Sequence, residues 1–237
     1  MLGSSYYEGE RVEQNFQQAR QFFEKACNSG DNIGCNNLGI LYQAGKGVEQ
    51  NFQRARQLHE RACRGGTESG CVWLGILYSE GNGVEQNFQR ARQLFEKACT
   101  VGYGDGCHHL GYLYYKGKGV KQDLLQARQL YEKACDDRDS GGGGCSGLGH
   151  LYYGGEGVDR DIHQARKFYK KACDRKAFQG CIYLGHLYYM GEGVKQDVQR
   201  ARQLYDEACK RGFPEGCGYL RKLPFHVSKD QDSEEGG

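Results

Sequence analysis

Proline is almost missing from this chain, with two residues in 237, so turns must be made by its 37 glycines. A surplus of one charge is missing too. Thirty-two basic residues face 30 acidic ones, a net of +2, and the two signs are mixed along the chain. No field is left to hold a phosphate backbone, which excludes nucleic acid as a partner. No window of 18 or more apolar residues exists, so no segment is long and apolar enough to be a spanning helix. The first residues, Met1 to Tyr7, lack the charged region and apolar core of a signal peptide. Catalytic motifs are scarce as well: there is no Ser-x-x-Lys tetrapeptide. Gly144-Cys145-Ser146-Gly147-Leu148 misses a Gly-x-Ser-x-Gly elbow at its last residue. Gly39 to Gly47 has some of the glycines and the lysine of a phosphate loop, but it is one residue too long and runs from helix to loop. Nothing implies a cofactor.

Cysteine is what the chain does have, in a fixed arrangement. All 12 fall into local pairs: Cys27/Cys35, Cys63/Cys71, Cys99/Cys107, Cys135/Cys145, Cys173/Cys181 and Cys209/Cys217. The first member recurs in steps of 36, 36, 36, 38 and 36 residues. Such a period marks a repeat array with one two-residue insertion. Leu2, Gly3, Tyr6 and Gly9 align with Leu38, Gly39, Tyr42 and Gly45, so the chain starts inside a repeat and reads as a piece of a longer protein.

Each unit encodes two amphipathic helices. Leu38, Leu41 and Tyr42 lie on one helical face, and Gly39 clears space for a neighbour. Gly45 and Gly47 end that helix. The second helix begins after Asn15, Asn51, Asn87, Asp123, Asp161 or Asp197, residues that cap exposed N–H groups. Gln18, Gln126 and Gln164 are placed to complete a capping box. Phe52, Ala55, Leu58 and Ala62 form its buried stripe, and Gly30, Gly66, Gly102 and Gly212 close it. One helix pair cannot bury its own apolar face, so stability must come from stacking. The expectation is an all-α protein, a right-handed α/α solenoid of about six helix-pair repeats over residues 1–221, with a disordered tail at 222–237. The glycine-rich fourth junction, Asp136 to Gly144, reads as a flexible loop tip and a weak hinge.

The eight-residue spacing puts one cysteine at the end of a second helix and its partner at the start of the next first helix. Six disulfides are the reading favoured by evenness and local pairing, and they imply an oxidising compartment. Reduced, buried cysteines at a tight junction are the alternative. Zinc fits less well, because its cysteines are usually two to four residues apart.

The unit resembles the Sel1-like repeat, a relative of the tetratricopeptide repeat, and the cysteine pairing resembles that of the Helicobacter cysteine-rich proteins. Leu74 to Tyr78, Gly81 to Val84, Ala91-Arg92, Ala98-Cys99 and Gly106-Cys107 carry the likeness, which spans residues 2–221. Arg11 and Lys176 depart from it, standing where turn glycines are expected. The resemblance implies a solenoid whose first helices line a concave face. It also implies slow β-lactamase or penicillin-binding activity, for which these residues offer no serine–lysine pair.

Positions one, two, five and eight after each second cysteine lie outside the core pattern. There the chain places Trp73, His108, His109, Tyr112, Tyr115, His150, Tyr153, Tyr183, His186 and Tyr189. Rings with polar tips suit an extended peptide or a glycan, although such tyrosines also serve as fillers between helices. His150 and His186 hold equivalent positions in adjacent units, but no carboxylate joins them to make a metal site. The Arg of each Ala-Arg pair is expected to face water and pair with the acid four residues on, as in Arg20/Glu24, Arg56/Glu60, Arg92/Glu96 and Arg128/Glu132. Two functions follow: a non-enzymatic scaffold, with a protein, peptide or peptidoglycan fragment as partner, or a slow β-lactam hydrolase. A monomer is expected, secreted or periplasmic if a signal peptide precedes this chain.

Overall fold

The computed structural model describes residues 2–9, 11–137 and 142–223. Among these residues there are thirteen α-helices and no strand. Seven are first helices: α1 (Leu2–Glu8), α3 (Asn32–Ala44), α5 (Glu68–Glu80), α7 (Gly104–Lys116), α9 (Gly143–Gly154), α11 (Phe178–Met190) and α13 (Pro214–Lys222). They alternate with six second helices: α2 (Phe16–Asn28), α4 (Phe52–Arg64), α6 (Phe88–Thr100), α8 (Leu124–Asp136), α10 (Ile162–Asp174) and α12 (Val198–Lys210). The chain divides into two compact units, residues 1–140 and 141–237. The expected tail lies outside the described residues from 224 onward, as do residues 138–141 of the fourth junction. Helix α13 runs to Lys222, and Leu223 is buried in the core of the second unit, so the packed body extends two residues past the expected boundary.

Within each unit every helix packs on the next, and successive first helices also touch: α3 with α5, α5 with α7, α9 with α11. Among the described residues the second helices make no comparable contact with one another. Each unit therefore presents its first helices on the tighter side of the stack.

Local chemistry sets both joints of a repeat. The first helices α3, α5, α7, α9 and α11 end at Gly45, Gly81, Gly117, Gly155 and Gly191, all left-handed with φ between 65° and 78°. Arg11 and Lys176 adopt the same conformation without glycine's freedom, at φ 68° and 63°. All six predicted N-caps accept a bond from the amide three residues on, for example Asn51 Oδ1 from Arg54 N at 2.8 Å. The reciprocal half of the capping box is not needed. Each cap's own N–H donates to the carbonyl of the tyrosine ending the preceding helix's core face, as Asn51 does to Tyr42 at 2.8 Å. The residue before the cap takes the next carbonyl: Gln50 Nε2 donates to Gln43 O at 2.8 Å, and Arg160 Nε does the same to Tyr153 O at 3.1 Å. The turn segment thus satisfies the orphan carbonyls of the helix it leaves.

At the other joint, the alanine before each first cysteine meets the glycine before the second. A Cβ added at Gly70 would lie 2.7 Å from Ala62 Cβ, and one at Gly106 2.6 Å from Ala98 Cβ. This close approach holds the cysteine Cα atoms 4.4–4.6 Å apart. Disulfides join Cys27 to Cys35, Cys63 to Cys71, Cys99 to Cys107, Cys173 to Cys181 and Cys209 to Cys217. Cys135 and Cys145 are disulfide-bonded as well, and no cysteine is free. The alternative of reduced cysteines is therefore not the state of this structure. Nor are the bridges equally covered: Cys35 and Cys71 are buried in the first unit, whereas Cys209 and Cys217 of the last bridge are half-buried, because no further repeat packs over them among the described residues.

The core contains a column of rings that the stripe of Phe52, Ala55, Leu58 and Ala62 does not include. Phe23, His59, Phe95, Tyr131, Tyr169 and Tyr205, four residues before each first cysteine, are all buried. Each lies against the glycine of the Leu-Gly pair in its own repeat: a Cβ at Gly75 would come 2.5 Å from Phe95, and one at Gly185 2.7 Å from Tyr205. The space that Gly39 clears is thus filled by a ring. The arginines of Ala-Arg also differ from expectation. Their stems are tucked in: Arg56 and Arg128 keep only 33% and 34% of the side chain exposed, and the Nε atoms of Arg20, Arg56 and Arg92 are buried without a hydrogen-bond partner. Arg56 and Arg128 reach Glu60 and Glu132 at 3.8 and 3.3 Å, whereas Arg20 and Arg92 form no ion pair among the described residues.

Candidate functional site

The ten candidate rings do not share one environment. In the first unit, Trp73 stacks on the buried His59 with centroids 6.1 Å apart, and His109 stacks on Phe95 at 5.0 Å. His108 lies 5.1 Å from His109 and 5.8 Å from Tyr131. Burial pushes the pKa of His108 down to about 4; burial, then the neighbouring His108, pushes that of His109 down to about 3. Both imidazoles, half-buried against rings of the first unit, are therefore neutral near pH 7. Tyr112 and Tyr115 lie outward, with Lys118 Nζ 5.5 Å from the Tyr112 ring and Lys116 Nζ 4.5 Å from the Tyr115 ring.

In the second unit the remaining five, His150, Tyr153, Tyr183, His186 and Tyr189, converge on one cavity of about 530 Å³. The ring column supplies Tyr169 and Tyr205 to its floor, and α13 contributes Tyr219 and Lys222. Two copies of the same arrangement build the wall. Tyr169 OH lies 3.3 Å from His150 Nδ1, and the His150 ring meets Tyr183 edge-on at 4.2 Å. One repeat later Tyr205 OH lies 3.0 Å from His186 Nδ1, and His186 meets Tyr219 edge-on at 4.2 Å. Each imidazole is thus engaged at Nδ1 and flanked by the tyrosine of the following repeat.

The cysteines stand apart from this site. None of them lines the cavity: Cys181 and Cys217 lie near the starts of two of the three first helices that carry its rings, but their sulfurs are spent on Cys173 and Cys209. Cys35 and Cys71 do the same work in the first unit, bonded to Cys27 and Cys63. All are staples at helix joints and none offers a thiol to a ligand.

Burial raises the pKa of Tyr183 and Tyr205 and lowers that of His186. Tyr153 is also raised, first by burial and then by its hydrogen bond to the Glu192 carboxylate and the charge there. Tyr153, Tyr183 and Tyr205 therefore stay neutral near pH 7, and the acidic and basic residues in the lining, histidines aside, are Glu192 and Lys222. Among the described residues, one trio of ligand-type side chains is close enough for a metal: Cys173, Cys181 and Glu207. Its two sulfurs are bonded to each other.

Two further contributors to the cavity follow the same spacing, and two do not show it. Tyr219 and Lys222 continue the positions two and five after a second cysteine, here Cys217, into the last repeat. Tyr169 and Tyr205 belong to the column whose members vary between Phe, His and Tyr, which hides the regularity.

Comparison with known proteins decides the family. The Sel1 repeat model matches six times, at residues 1–31, 33–67, 69–103, 104–139, 144–176 and 179–213. This chain belongs to the Sel1 repeat family. Its fold is accordingly an α/α solenoid of about 36-residue helix pairs. This Sel1 repeat protein is 29% identical to a Sel1 repeat protein from Oxalobacter formigenes, over 89% of this chain and 85% of that one, with a TM-score of 0.72. A protective antigen present in uropathogenic Escherichia coli strains, displaying an SLR fold, is 30% identical over 94% of this chain at a TM-score of 0.61, and this chain spans 47% of its length. Helicobacter pylori cysteine rich protein B is 35% identical over 54% of this chain and 91% of its own, with a TM-score of 0.41. No curated protein matches. No helix is long and apolar enough to cross a membrane among the described residues.

Proposed function

We propose that this Sel1 repeat protein is a non-enzymatic scaffold that holds an extended peptide or protein segment, or the peptide of a cell-wall fragment, against the first helices of its second unit. The observation that carries the reading is the tyrosine- and histidine-walled cavity there. Tyrosine offers wide apolar contact and a polar tip for little conformational entropy. The disulfides suit a secreted or periplasmic setting, and a monomer suffices, since the cavity is lined by one chain. A fluorescence-anisotropy screen of labelled peptides and muropeptides tests it. Binding that Tyr153→Ala/Tyr189→Ala weakens at least tenfold is the expected result. Undiminished binding by that variant would remove the groove. Nitrocefin turnover by protein from a host without β-lactamases would instead favour the hydrolase alternative.

A further inference from the structure

The residue between the two turn glycines after a first helix changes sign along the chain. It is Lys46, Asn82 and Lys118 in the first unit, and Glu156 and Glu192 in the second. The two lysines lie over rings of their own unit. Lys46 Nζ is 5.4 Å from the Tyr7 centroid and 5.1 Å from that of Phe16, and Lys118 Nζ is 5.5 Å from both Phe88 and Tyr112. A cation over the electron-rich face of a ring is favourable, so these turns supply their own occupant.

In the second unit the same turn position delivers a carboxylate into the cavity. The Glu192 carboxylate already meets Tyr153, but its Oε2 is buried and has no hydrogen-bond partner. Buried carboxylate oxygens are normally met by donors, and one left open beside a cavity is matched to a donor that arrives from outside. The cations nearby are committed elsewhere: Lys222 Nζ lies over Tyr219 at 5.7 Å, and the Arg160 guanidinium over Tyr153 at 5.8 Å. Among the described residues no cation lies over Tyr183 or Tyr189.

We infer that the cavity of the second unit takes a cationic group, a primary ammonium or guanidinium on the bound segment, with Glu192 as counter-ion and the tyrosine faces around it. This rests on the groove reading and adds the chemistry of its ligand. An apolar or acidic side chain would leave Glu192 Oε2 unmet, and only a cation uses both the ring faces and the charge of Glu192.

The test uses three small probes, the N-acetyl methylamides of lysine, arginine and norleucine, titrated into the full chain and followed by NMR, beside the peptide screen. The lysine and arginine probes are expected to bind at least tenfold more tightly than norleucine. Glu192→Gln should shrink that preference to within twofold while keeping its circular dichroism and melting temperature. Glu192→Lys, which installs the cation found in the first unit's turns, should abolish cation binding. Equal binding of the three probes, binding of none, or a preference that survives Glu192→Gln would each overturn the inference. Peptides that bind through Tyr153 and Tyr189 without charge preference would sink the cation site and leave the groove standing. Glu192-dependent binding of the lysine probe with no peptide binding would do the reverse.

Discussion

The two units answer the same packing problem with different rings. In every repeat a ring from the second helix fills the notch left by the Leu-Gly glycine. In the second repeat of the first unit that ring is His59, fully buried, with Nδ1 2.9 Å from Asn36 Oδ1 and Nε2 without a partner. In the second unit it is Tyr169 or Tyr205, whose hydroxyl continues to the next imidazole and into the cavity. The first solution ends in a blocked polar atom. The second hands its polar end to a surface. The same backbone notch thus serves packing alone at His59 and the site at Tyr169 and Tyr205.

Acid should break the comparison most strongly. Burial pushes the pKa of His59 down to about 3 from 6.5. Below pH 6.5 the unfolded chain binds a proton that the folded chain refuses, so stability falls as pH drops from 6.5 toward 3. At pH 4.5 His59 alone should cost about 2 to 3 kcal/mol, with His108 and His109 adding in the same direction. Asn36→Val/His59→Phe, which copies Val72 and Phe95 of the next repeat, should recover that loss in thermal melts at pH 4.5 relative to pH 7.5. An unchanged acid loss would contradict the role given to His59.

Filling the notch is the next largest effect. Gly75→Ala and Gly185→Ala each push a methyl onto a ring, Phe95 or Tyr205, and each should lower stability by about 1 to 3 kcal/mol. They should part company in binding, since only Gly185→Ala moves a ring of the cavity. Urea midpoints and peptide affinity, measured together, check this. Removing one hydroxyl is smaller: Tyr205→Phe should cost about 1 kcal/mol by leaving His186 Nδ1 unmet.

The smallest effect concerns a helix end. Lys97 and Lys133 donate to the Cys63 and Cys99 carbonyls of the previous second helix at 3.2 and 2.7 Å, where a cation suits the helix dipole. The last repeat has Glu207 at that position, close to Cys173. Glu207→Lys should raise stability by about 0.5 to 1 kcal/mol, read as a higher melting temperature.

Much of this architecture was legible because it is written in single residue types that local physics demands. Asn or Asp caps, left-handed glycines and paired cysteines such as Cys27 with Cys35 recur at fixed offsets, and each performs its predicted task. The ring column was not legible, because its requirement is a flat side chain and His59, Phe95 and Tyr205 all meet it. The missing half of the capping box was not legible either. Whether Gln126 or a distant carbonyl takes the cap's N–H depends on how the hairpin closes, which is a tertiary fact. For the site, spacing singled out all ten candidates alike, yet the structure gathers only His150, Tyr153, Tyr183, His186 and Tyr189 around one cavity, while Trp73 and His109 stack on His59 and Phe95 of the first unit. Glu192 escaped because a charged residue in a glycine turn ordinarily means only solubility.

The disulfides have one mechanical consequence. Each of the Cys63–Cys71 and Cys99–Cys107 bridges clips a stretch with a sequence separation of 8 to a Cα–Cα distance of 4.5 Å. Stretched out, such a stretch would span about 28 Å at roughly 3.5 Å per residue. A chain pulled from its two ends therefore withholds about 24 Å at each clip of that separation. An optical trap would see that hidden length appear only after a reductant is added, in equal steps for the pairs eight residues apart.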